Sequence, residues 1–106
     1  MNIAIDCCGT LLEAGYTPRL LTVIRKALSR GDGITVWSSD SSYLDEAKKL
    51  LEENKIKVSC CNKYSKRDAK KDGRLIFDLA IDDAEDCAYL AANSFTHPNH
   101  IIMEDT

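Results

Sequence analysis

The stretch "MNIAIDCCGTLL", residues 1–12, opens with a short apolar run that stops abruptly at an aspartate. Two cysteines, a glycine and a threonine follow it. An isoleucine-bearing run of this length predicts a buried strand over 2–6. A strand that ends in Asp-Cys-Cys-Gly-Thr places polar chemistry at one sheet edge, and the rest of the chain is organised around that edge.

Outward from there the periodicity alternates. "TPRLLTVIRKALSRG" (17–31) predicts a helix with Thr17 as N-cap and Pro18 at the first helical position. Leu21, Ile24 and Leu28 form its apolar stripe, and Gly31 suits the position just past its end. "ITVWS" (34–38) is a second strand. "SYLDEAKKLLEEN" (42–54) is a second helix, with a Ser42…Asp45 capping-box pattern and a buried face of Leu44, Ala47, Leu50 and Leu51. "IKVSC" (56–60) is a third strand. The basic stretch "NKYSKRDAKKDGR" (62–74) reads as a surface loop, "LIFDLAID" (75–82) as a fourth strand, "DAEDCAYLAAN" (83–93) as a short helix and "HIIM" (100–103) as a last strand.

Strands alternating with helices predict one α/β domain over 1–106. Its architecture is a Rossmann-like three-layer sandwich around a parallel sheet of about five strands. Right-handed crossovers place the carboxyl ends of the strands along one edge, where open α/β sheets bind ligands. Asp6, Ser38 and Asp82 end three of these strands, so they are expected to converge.

These residues resemble the haloacid dehalogenase superfamily, most of whose members are magnesium-dependent phosphatases. Its first motif, an apolar strand followed by Asp-x-Asp-Gly-Thr, is matched by "IAIDCCGTLL" at Asp6, Gly9 and Thr10. The second, a strand ending in Ser or Thr, is matched by "ITVWSS" at Ser38, with Ser39 beside it. The fourth, a strand ending in an acidic pair, is matched by "FDLAIDD" at Asp82 and Asp83, in the style of small capless members. The basic third motif aligns on Arg74, with Lys63, Lys66, Lys70 and Lys71 as alternatives. Few residues separate these motifs from the following helices, so no cap domain is expected and the site is expected to be open. An open site suits a phosphate carried on something large, or a small substrate closed off by a partner subunit.

The resemblance implies a division of labour. Asp6 is nucleophile and Mg²⁺ ligand, position 8 binds the metal through its backbone carbonyl, and Asp82 with Asp83 completes the acidic ligands. Ser38 and Ser39 meet the phosphoryl oxygens, and Arg74 or a nearby lysine offsets their charge. One residue departs from the pattern. Cys8 stands where the phosphatases carry the aspartate that protonates the leaving group and then activates water. A thiol, with a reference pKa of about 8.5, replaces that carboxylic acid poorly. Loss of a positioned acid/base costs on the order of 10²–10⁴ in rate. Two functions therefore stay open: a slow phosphohydrolase, and a catalytically silent binding or regulatory module on the same fold.

Composition narrows the remaining classes. The chain has 106 residues, a formal net charge of -3 and 44% hydrophobic content. No strong attraction to nucleic acid follows from that charge. No apolar run approaches the roughly 20 residues that span a bilayer. The first residues lack a basic region followed by a long apolar stretch, so a cytoplasmic protein without a signal peptide is expected. Five cysteines, Cys7, Cys8, Cys60, Cys61 and Cys87, fit no disulfide framework. Small apolar packing is their simplest role, with a zinc site as the alternative reading. His97 and His100 read as surface residues.

Overall fold

The computed structural model describes residues 1–62, 77–89 and 92–101. Strand β1, Asn2–Asp6, is buried along four of its five residues. It is flanked by β2, Gly33–Ser38, on one side and by β4, Leu79–Ile81, on the other. Strand β3, Ser59–Asn62, lies outside β2, and β5, Phe95–Thr96, lies outside β4. All four pairings are parallel, giving the order β3-β2-β1-β4-β5. The result is the Rossmann-like α/β sandwich that the alternating periodicity predicts.

Helices α1, Thr17–Ser29, and α2, Ser41–Glu53, connect β1 to β2 and β2 to β3. Both pack on one face, because successive right-handed crossovers in one direction stay on one side of the sheet. Ile3, Ile5, Ile34, Val36 and Ile81 meet Leu20, Leu21, Ile24, Ala27, Ala47 and Leu51 there. The opposite face carries Ala4, Trp37, Phe77 and Ala80 and is covered by Ala88 of the short helix α3, Glu85–Ala88, and by Ala92. The crossover direction thus reverses between β1 and β4.

Several local expectations are corrected. Thr17 is the first helical residue rather than the N-cap. Its hydroxyl donates to the carbonyls of Leu11 (2.6 Å) and Glu13 (3.0 Å), which ties the helix start to the preceding loop. Leu28 is 37% exposed, and Leu20 and Ala27 take the buried stripe with Leu21 and Ile24. The cap of α2 is Asp40, whose carboxylate accepts from the backbone N–H of Ser42 at 2.8 Å and from its hydroxyl at 2.6 Å. Those bonds, the hydroxyl first, hold the Asp40 carboxyl below its ordinary value. Strand β3 begins at Ser59, later than the apolar run suggests. Of the expected helix over 83–93, the described part is helical only over Glu85–Ala88. Of the expected strand over 100–103, residues 102–103 lie outside the described residues and His100 lies in a 3-10 turn, Pro98–His100; the last strand among the described residues is Phe95–Thr96. Sheet pairing decides this: Ala80 and Ile81 find their partners at Phe95 and Thr96.

Both long helices end the same way. After α1, the N–H groups of Gly31 and Asp32 bond back to Leu28 and Ala27 carbonyls, with Gly31 at φ +86°. After α2, Lys55 and Ile56 bond back to Glu52 and Leu51, but here the left-handed residue is Lys55, at φ 59°. A side chain at such a position costs about 1–2 kcal/mol, partly offset by the lower entropy of its unfolded chain. Lys55→Gly is therefore expected to raise stability by about 0.5–1 kcal/mol. A higher urea midpoint with an unchanged m-value would bear this out, and a lower midpoint would contradict it.

Candidate active site

Register brings the strand ends together. Ile5 pairs with Ile81, so the next residue on each strand, Asp6 and Asp82, stand side by side. Side chains alternate along a strand, and Ile5 and Ile81 both enter the α1/α2 core. Asp6 and Asp82 therefore both turn toward the other face. They lie where the crossover direction reverses, the position at which open parallel sheets bind ligands. Asp6 pairs with Trp37, and Ser38 follows one residue beyond at the end of β2.

Asp6, Asp82 and Asp83 form the acidic centre. One carboxylate oxygen from each lies within 4.8 Å of the others. Asp6 and Asp82 are buried and Asp83 is exposed. Asp82 accepts from the backbone N–H of Ala84 at 3.0 Å and so caps the turn into α3. Asp83 accepts from the Thr10 hydroxyl at 3.3 Å, which links the two ends of the motif across β1 and β4. Burial pushes the Asp83 carboxyl up. Hydrogen bonds from Asp82, Asp6, its own backbone and Thr10 outweigh burial and leave it below its ordinary value. At this spacing two ionised carboxylates repel by on the order of 1–4 kcal/mol, between water-like and partly shielded limits. Three of them must share protons or take a cation. All-oxygen donors with room for water are the chemistry that Mg²⁺ accepts.

The loop after β1, Cys7–Leu11, is shaped for this contact. The Leu12 N–H closes it onto the Cys7 carbonyl at 2.9 Å, and Gly9 adopts φ 74°. A Cβ at Gly9 would collide with the Asp83 carboxylate. Cys7 is buried in the core as a small apolar residue. Cys8 is exposed. Tyr43, in the first turn of α2, lies beside it, and Cys8, followed by the negative charge of Asp40, raises the phenol above its ordinary value. Tyr43 looks like any surface residue of an amphipathic helix in the sequence, and no spacing marks it. Ser38 is buried, and its Oγ accepts from the Asp40 N–H at 3.1 Å, leaving its own O–H as a donor. Ser39 is exposed in the turn between β2 and α2.

Arg74, Lys63, Lys66, Lys70 and Lys71 lie outside the described residues, as do the side chains of Cys61 and Cys87. The cysteines that are described do not make a metal site. Cys7 is in the core, Cys8 faces Tyr43, and Cys60 is half-buried beside β2, where burial raises its thiol. Among the described residues the group with metal-ligand geometry is the three aspartates. Among the same residues, no helix is long and apolar enough to cross a membrane. No family model, curated protein or solved structure matches this chain.

Gly9→Ala should destabilise the protein by about 1–3 kcal/mol, since it adds left-handed strain to a collision with Asp83. Denaturant unfolding measures this. A neutral result would show that the loop relaxes without cost.

Proposed function

We propose that this chain is a slow Mg²⁺-dependent phosphohydrolase of the haloacid dehalogenase type, acting through an aspartyl-phosphate on Asp6. The observation that carries the reading is the convergence of Asp6, Asp82 and Asp83 within 4.8 Å at the reversal point of the sheet. Asp6, Asp82 and Asp83 would hold the metal with the backbone carbonyl at position 8. When bound, Mg²⁺ supplies positive charge that lets a carboxylate approach a phosphate ester.

The Asp6 carboxylate attacks phosphorus as the bond to the leaving oxygen breaks. The Ser38 hydroxyl, held by the Asp40 N–H, donates to a phosphoryl oxygen, with Ser39 beside it. Arg74 or a lysine of the 63–71 stretch offsets the remaining charge. Water then cleaves the acyl-phosphate and returns Asp6. Position 8 should protonate the leaving group and activate that water, and a thiol does this poorly. The same observation favours the second reading, a binding or regulatory module that keeps the phosphate site without turnover.

Three measurements test the proposal. Mg²⁺ should raise the melting temperature of the wild-type protein, and Asp82→Asn should remove most of that rise. The lack of any Mg²⁺ effect, even with a phosphate mimic present, would sink the enzyme reading. Wild-type protein should hydrolyse an aryl phosphate slowly, and Asp6→Asn should abolish the activity. Cys8→Asp should raise the rate by up to about 10²-fold, because it restores an acid where the other groups already stand. A folded, Mg²⁺-binding Cys8→Asp protein with no turnover on several phosphate esters would favour the binding module.

A further inference from the structure

Beside the acidic centre is a second concavity of about 380 Å³, lined by Asp83, Glu85, Phe95, His97, Asn99 and His100. It shares Asp83 with the carboxylate cluster, so the two adjoin. Its volume is in the range of small-molecule subsites.

The walls are unusually aromatic for this chain. The His97 and His100 rings lie 5.8 Å apart, and the Tyr16 ring backs His97 edge-on at 6.1 Å. Phe95 adds a third face. This shelf is braced from behind. Arg19 lies over the Tyr16 ring at 5.8 Å and donates to the carbonyls of Pro98 (3.5 Å) and Ile101 (3.3 Å). The His97 Nδ1 accepts from the Asn99 N–H at 3.0 Å, so the neutral ring carries its proton on Nε2 as a donor. The lining carboxylates, Asp83 and Glu85, can accept from hydroxyl or amino groups. Among the described residues no lysine or arginine lines the pocket, so none of them offers a second phosphate a partner there.

We propose that this pocket is a subsite for a flat heteroaromatic group with hydrogen-bonding edges, which makes the substrate class a nucleoside monophosphate. The proposal rests on the phosphohydrolase reading for the place of the phosphate. π-Faces from Phe95, His97 and His100 take the base, and the two carboxylates take ribose hydroxyls. Stacking on such rings tolerates different bases, because every base has a π-face.

The chain has only two histidines, both in this pocket, so imidazole proton signals report on this site alone. Adenosine monophosphate and ribose 5-phosphate are titrated in turn, with Mg²⁺ present. The mononucleotide is expected to move both histidine signals by ring currents and to bind about tenfold tighter, the gain from stacking one base. His100→Ala, its folding checked by the single Trp37 indole signal, should lower that preference. A 5′-phosphorylated dinucleotide separates the two sources of this chemistry. Equal or weaker binding assigns the free nucleotide, and tighter binding assigns a strand end. Equal affinity for the mononucleotide and ribose 5-phosphate overturns the proposal, as does no binding of the mononucleotide or binding that leaves the histidines unmoved. Acetyl phosphate turnover needs no such subsite and tests the phosphohydrolase reading separately. Inert protein that still prefers the nucleotide keeps the subsite and loses the chemistry, and active protein without the preference does the reverse.

Discussion

Strand β1 is paired in parallel on both of its edges, and the rest of the molecule follows from that. Parallel neighbours cannot be joined by a tight turn, so each connection has to cross over a sheet face. The crossovers toward β2 and β3 put α1 and α2 on one face, and the return to β4 uses the other. The two directions part at the carboxyl end, where Asp6 and Asp82 stand side by side, one residue beyond a paired Ile5 and Ile81.

That arrangement works against stability and for binding. An apolar strand gains from burial until its last residue, and there this fold places carboxylates that repel each other. The protein offsets part of the repulsion with hydrogen bonds. Ala84 N–H serves Asp82, Thr10 hydroxyl serves Asp83, and Gly9 lets the loop backbone pass close to the Asp83 carboxylate. These bonds leave three carboxylates close together, two of them buried, which must share protons or take a cation.

Position 8 separates binding from turnover. Its neighbour Cys7 is core, while Cys8 points outward to the Tyr43 hydroxyl on α2. In the proposed function, Cys8 bears on the proton chemistry and the three aspartates on the charge, while Asp83 belongs both to the acidic centre and to the aromatic pocket.

By itself the sequence determined the alternation of strands and helices, the parallel sheet and the strand-end residues Asp6, Ser38 and Asp82. These are local signals: period-2 and period-3.6 apolar patterns, and abrupt polar stops. The basic third motif falls outside the described residues. Tertiary structure decided what depends on partners from elsewhere in the chain. Phe95 and Thr96 became a strand because β4 offered an edge, while His100 took part in a 3-10 turn. Leu28 stayed exposed because the α1 stripe turns toward Leu20 and Ala27 when it meets Ile3, Ile5 and Ile34. Asp40 capped α2 in place of a Ser42 pattern because the chain leaves Ser38 in an extended turn. Tyr43 beside Cys8 and Tyr16 against His97 join residues far apart in sequence, and no periodicity encodes a contact made only when separate elements dock.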